Sequence, residues 1–132
     1  IFRENLRAEH GKDFLAQLAL QEVARLLEAG QKNIVIDGIY SWSEFKAFKH
    51  AYHSELDIVA IVAPRRLRHR RLANRPERPF TEDEAMHRDY TEIENIEKGG
   101  PIAIADHYII NDSNLENLHQ KIDDILHGTF AE

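Results

Sequence analysis

Cysteine does not occur in the 132 residues. The chain therefore has no disulfide framework and no thiolate metal site, which fits a cytoplasmic protein. Long apolar runs are missing too, and nothing approaches the length that spans a membrane. Residues 1–10 are mostly polar and charged and do not read as a signal peptide. Positive charge is in deficit: 17 Lys and Arg against 23 Asp and Glu give −6, so the whole protein does not read as a nucleic-acid binder. No internal repeat, low-complexity segment or dinucleotide fingerprint is present. What remains is ordinary for a globular domain. The chain is 42% hydrophobic and long enough for one domain with a real core.

Helical and strand-like patterns alternate along this chain. Leu15, Leu18, Ala19, Val23, Leu26 and Leu27 predict an amphipathic helix over residues 12–29, stopped by Gly30. Asn33–Asp37 follows, its Ile34-Val35-Ile36 run reading as a strand buried on both faces. Ser41 to Glu44 is a capping box opening a helix that turns Phe45, Phe48 and Tyr52 inward. Asp57–Ala63 is a second buried strand, rich in β-branched residues. Pro64 suits the first turn of a helix to about Asn74, and Pro76 and Pro79 mark a loop. Thr81 to Glu84 caps a helix to about Glu97, stopped by Gly99-Gly100-Pro101. Tyr108–Ile110 is a third strand. A capping box at Ser113 to Glu116 opens a last helix with Leu115, Leu118, Ile122, Ile125 and Leu126 on one face, ended by Gly128. Strands alternating with helices over short loops predict an α/β fold with a parallel sheet.

Two features carry chemistry. Asp37-Gly38 ends the first apolar run, so its carboxylate stands at the carboxyl end of a strand, the edge where open α/β sheets bind ligands. Gly38 leaves room for a ligand or an unusual turn. The alternative is that Asp37 only accepts a bond from a nearby amide. The second feature is seven arginines between Arg65 and Arg78. Arg71 and Arg75 stand four apart, on one side of a helix. Arg78 falls in the loop and Arg88 in the next helix. Guanidinium groups converging on a cleft neutralise a polyphosphate and the charge that develops during transfer. The alternative is a solvated basic face paired with Glu82–Glu84. Neither His50 nor His53, one helical turn apart, has a carboxylate partner placed by sequence.

The order of these pieces resembles a known family. Leu6-Arg7-Ala8-Glu9-His10-Gly11, Ile36-Asp37-Gly38, Ala63-Pro64 leading to Arg71-Leu72 and Arg75, Asn95 through Asp106, and Ile110-Asn111-Asp112 resemble the P-loop kinase superfamily. Within it, the dephospho-coenzyme A kinase-like and AAA-family ATPase-like group, related to nucleoside monophosphate kinases, is the nearest match. The likeness covers almost the whole chain. It implies a three-layer parallel sheet flanked by helices, an ATP-dependent phosphotransfer to a small-molecule acceptor such as dephospho-coenzyme A or a nucleotide, and Mg2+. It also implies roles. Asp37 orients the acceptor or magnesium-bound water, and Arg7, with Gly38, lies on the acceptor side. Arg71 and Arg75 contact ATP, Arg78 and Arg88 are lid arginines of a segment over about 75–97, and Asn111 lies beside adenine. The segment Arg75–Glu82, with two prolines, is expected to be mobile.

Departures accompany the likeness. The phosphate-loop pattern Gly-x-x-x-x-Gly-Lys-Ser/Thr does not occur here, and Tyr40 stands where relatives often carry Arg. The chain opens at Ile1 without an initiator Met and reads as the C-terminal two-thirds of a longer kinase-like protein. In the family's strand order, 2-3-1-4-5, the three strands here are the third, fourth and fifth. The first strand, between 33–37 and 57–63, is absent. Open edges recruit other chains, so self-association is an expected alternative to a longer polypeptide. The competing functional reading is a non-catalytic kinase-like binding or interaction module. Nucleic-acid binding through Arg65–Arg78 is disfavoured by the overall acidity and by the lack of interleaved aromatics.

Overall fold

Seen as a computed structural model, the chain combines helices with two short strands over the residues the structure describes, 2–130. The order is α1 (Phe2–His10), α2 (Phe14–Glu28), α3 (Trp42–Tyr52), a 3-10 turn at His53–Glu55, β1 (Val59–Val62), α4 (Arg65–Asn74), α5 (Glu82–Ile96), α6 (Gly99–Ala103), β2 (His107–Ile110) and α7 (Leu115–Phe130). The class is α/β, with a two-stranded parallel sheet and flanking helices. The chain forms two compact units, the first up to Leu56 together with Glu92–Ala103, the second Asp57–Thr91 together with the chain from Ile104.

In the first unit α1 packs on α2, α2 on α3, and α3 on α6. Its buried residues include Ala16 and Val23 of α2, Phe45 and Phe48 of α3 and Pro101 of α6. The end of α2 is closed as the sequence requires. Gly30 takes φ +96, its N–H donates to the Leu27 carbonyl (3.1 Å), and the Gln31 N–H donates to the Leu26 carbonyl (3.0 Å). The Ser41 box forms in full: Ser41 Oγ accepts from the Glu44 N–H at 3.1 Å and Glu44 Oε1 from the Ser41 N–H at 3.2 Å. Phe45 and Phe48 turn inward, and Tyr52 is half-buried. Helix α1 has no counterpart in the sequence reading, which treated Leu6–Gly11 only as a motif. Residues 2–10 hold no Gly, Pro or β-branched residue, and Gly11, at φ +105, stops them.

Two expectations in this unit are corrected. The segment Asn33–Asp37 is not a strand and makes no ladder bond among the described residues. Ile34 and Ile36 are half-buried while Val35 is 85% exposed, which is strand-like alternation without a neighbouring strand. Burial on both faces needs a partner strand and cover on each side, and this segment has cover on one side only. The stop after α5 is likewise not Gly99-Gly100-Pro101. Glu97 takes φ +56 and its N–H donates to the Ile93 carbonyl (3.1 Å), after which Gly99 opens α6. Pro101 fits the first turn of α6, where an N–H has no intrahelical partner.

The second unit is built on the sheet. Val59, Ala60, Ile61 and Val62 pair in parallel register with His107, Tyr108, Ile109 and Ile110. At the amino ends, Asp106 Oδ2 accepts from the Ile58 N–H (2.8 Å), and the Asp106 and His107 N–H groups donate to the Ile58 carbonyl. Ile58, Ala60 and Ile109 are buried. Val59, Ile61, Tyr108 and Ile110 are 42–53% exposed, so the two-faced burial expected of residues 57–63 is not met in a sheet of two strands. Pro64 precedes α4, and the Thr81 box opens α5, both as expected. The cap of α7 stands one residue later than read: Asn114 Oδ1 accepts from the Asn117 N–H at 2.8 Å. Gly128 does not end α7, which runs on to Phe130. Near a helix end a glycine costs only about 1 kcal/mol relative to alanine and is tolerated. No described helix is long and apolar enough to cross a membrane.

Candidate functional site

The residues singled out by sequence fall into both units. Arg7, Asp37 and Gly38 lie in the first, and Arg71, Arg75, Arg78, Arg88 and Asn111 in the second.

In the first unit, Asp37 is exposed after the extended Ile34–Ile36 run, and Gly38 takes φ +98. A Cβ on Gly38 would meet the Tyr40 ring at 3.4 Å, so the turn brings the ring against the Gly38 backbone. The Lys98 ammonium stands 5.3 Å from the centroid of that ring and pairs with Glu92 at 2.5 Å. Arg7 reaches from α1 to the capping carboxylate of α3, its Nη2 3.3 Å from Glu44 Oε1. The Glu44 side chain is buried and that of Arg7 partly so, 6% and 13% exposed, and Arg7 Nε has no hydrogen-bond partner among the described residues. Arg7 thus joins α1 to the start of α3, a contact across 37 positions that no local pattern reveals.

In the second unit the arginines divide by partner. Arg68 and His69 both engage Asp89. Arg68 Nη1 and Nη2 donate to its two oxygens at 2.9 and 3.3 Å, and His69 Nε2 lies 2.9 Å from Oδ2. Burial on its own pushes the Asp89 carboxyl up. The bonds from Arg68 and His69, with their charges, outweigh that and hold it below the usual carboxylate range. Arg71 turns to the carboxyl edge of the sheet. Its Nη1 donates to the Asn111 carbonyl (2.8 Å) and its Nη2 to the Ser113 carbonyl (3.2 Å). Lys121 donates to the Ile110 carbonyl at 2.8 Å on the same stretch. The structure therefore brings Arg71 and Asn111 together, as two residues expected to share a ligand.

Arg75 and Arg88 gather at a ring, beside the Arg78 backbone. Arg75 Nε donates to the Arg78 carbonyl at 2.6 Å, Arg78 takes φ +48, and the Phe80 N–H donates to the Leu72 carbonyl. The Arg75 guanidinium lies 4.7 Å and that of Arg88 5.5 Å from the Phe80 centroid. Within the segment Arg75–Glu82, Arg75 and Phe80 each make a hydrogen bond. Phe80, Asp89, Lys121 and Lys98 are the participants that sequence reasoning missed. For Phe80, its place between Pro79 and the Thr81 cap was the available signal.

No protein-family model matches the chain. It is 39% identical over 120 residues to a UPF0200 protein of Thermococcus gammatolerans, covering 89% of this chain and 62% of that protein. It is 30% identical over 127 residues to a UPF0200 protein of Sulfurisphaera tokodaii, covering 95% and 67%. Against a UPF0200 protein of Thermococcus onnurineus it is 33% identical over 130 residues, covering 96% and 69%. The chain spans about two thirds of the length of these curated relatives, 62–69%.

Proposed function

The chain belongs to the UPF0200 family, and we propose that it is part of an ATP-dependent phosphotransferase, working in the cytoplasm on a small-molecule acceptor that is dephospho-coenzyme A-like or nucleotide-like. One observation carries the reading. The helix after β1 sends Arg71 to the backbone immediately after β2, so arginine chemistry stands at the carboxyl edge of a parallel strand pair. That edge is where open α/β sheets hold ligands. Direct pairing of β1 with β2 also fits the resemblance, in which the fourth and fifth strands are neighbours.

In this reading Arg75, Arg78 and Arg88 meet the phosphates of ATP. Three guanidinium groups around one loop suit a polyanion, because each keeps its charge and offers paired N–H donors. Arg71 holds the Asn111 loop beside the base. Asp37 lies on the acceptor side, as do Gly38 and Arg7. Mg2+ is commonly held through one or two carboxylates and the substrate's own phosphates. In the resemblance Asp37 orients the acceptor or magnesium-bound water, and bound Mg2+ would neutralise phosphate charge. The phosphate-loop pattern does not occur in these residues, so the reaction belongs to a complete polypeptide that supplies it.

The test compares two arginines of α4 and the loop in the complete polypeptide. Arg75→Ala should lower the efficiency of ATP turnover by at least about tenfold, the scale of a lost charge-assisted contact. Arg65→Ala, at an exposed position in the first turn of α4, should leave it within about twofold. Equal effects of the two would remove the support for the arginine site. Absence of turnover together with retained folding would favour the non-catalytic module.

A further inference from the structure

The Phe80 ring carries two cations of like charge, one just after α4 and one within α5. Arg75 follows the last residue of α4 and Arg88 lies in α5, thirteen positions on, yet their guanidinium carbons stand 4.7 and 5.5 Å from one centroid. Two guanidinium groups repel each other, and the attraction of each cation to an aromatic ring works against that repulsion. The ring is itself fixed. Its own N–H is bonded to the Leu72 carbonyl of α4 (3.1 Å), and the residue after it, Thr81, caps α5 through the Glu84 N–H (3.2 Å). Within the same loop Arg75 Nε holds the Arg78 carbonyl at 2.6 Å, and Arg78 accepts a left-handed backbone, φ +48, that non-glycine residues rarely take.

We propose that Phe80 is the positioning residue of the arginine loop: its ring holds Arg75 and Arg88 as a preformed pair for the phosphate groups of a nucleoside triphosphate. The inference rests on the proposed function, since it takes these arginines as phosphate ligands. It adds a residue with no polar group, assigned a role through two that have one. Preorganisation is the physical gain. Side chains already ordered lose less conformational entropy on binding, and a pair of cations held together before the ligand arrives meets it without rearrangement. Phe80 itself does not touch the phosphates.

The test is MgATP affinity by calorimetry on the complete polypeptide, comparing the wild type with Phe80→Leu and Phe80→Trp. Leucine keeps apolar volume and removes the ring face, while tryptophan keeps a face with the strongest attraction for cations. Phe80→Leu should bind MgATP about tenfold more weakly, and Phe80→Trp within about twofold of wild type, with cooperative thermal unfolding retained in each. If Phe80→Leu binds like the wild type, or if Phe80→Trp is as weak as Phe80→Leu, the proposal is overturned. Should Phe80→Leu fail to fold, Phe80→Trp decides alone, and a tenfold loss there overturns it. A wild-type protein that binds no MgATP overturns the proposed function and this inference together. Binding by the wild type with no effect of the ring overturns this inference only.

Discussion

Glycine 100 shows how a residue legible as punctuation is in fact a packing contact. Read from sequence, Gly99-Gly100-Pro101 is a helix stop. In the structure a Cβ on Gly100 would come within 2.7 Å of Trp42 Cε3, closer than atoms can approach without displacement, and one on Gly99 would meet nothing within 4 Å. The real stop is Glu97, an acidic residue in left-handed backbone, which no residue preference announces. Gly30, by contrast, was legible, because a left-handed stop after an amphipathic run depends only on neighbours within a turn. Gly100→Ala should therefore destabilise the protein by about 1–3 kcal/mol, as overpacking does. Gly99→Ala should be neutral or stabilising by up to about 1 kcal/mol. Denaturant midpoints of the two variants check this, and equal midpoints would show that α6 yields to the added methyl.

Between elements, the ties that matter join residues far apart in sequence. The boxes at Ser41 and Thr81 were readable because each closes within three positions. The engagement of Asp89 by Arg68 and His69 spans 20 and 21 positions, and the seven-arginine run gives no sign of which members it will use. This contact joins α4 to α5 and so sets the frame in which Arg75, Phe80 and Arg88 meet. It also makes stability depend on pH. The Asp89 carboxyl is held below its ordinary value, so folding favours its ionised form. That contribution is complete above the unfolded pKa, about 3.9, and is lost as pH falls through the lower folded value. Asp89→Asn should cost about 1–3 kcal/mol at pH 7, leaving Arg68 short of a charged partner. Between pH 7 and pH 3 the wild type should lose more stability than Asp89→Asn does. Urea unfolding at the two pH values measures the difference, and parallel losses would remove Asp89 from the acid response.

For the whole molecule, two of the three strands the sequence announced form, and the third lacks a neighbour. β1 and β2 formed where the β-branched runs stand, since these two runs find each other. Asn33–Asp37 carries the same kind of run, yet Val35 is 85% exposed and the segment makes no ladder bond among the described residues. A run specifies extended backbone; a strand also needs a partner, and no residue within the run encodes one. The exposed faces of Val59, Ile61, Tyr108 and Ile110 repeat this in the second unit. Open strands of this kind pair with further chain, either of the same polypeptide or of another copy. The candidate site shares this character: its arginines group locally around Phe80 and Asn111, and the phosphate loop that the proposed reaction needs is not among these residues.

Amide hydrogen exchange of the complete polypeptide, with and without MgATP, tests the account most directly. On addition of MgATP, protection should rise across Arg75–Arg88 and around Asn111, while α2 stays unchanged. No nucleotide-dependent change in the arginine loop would contradict the site.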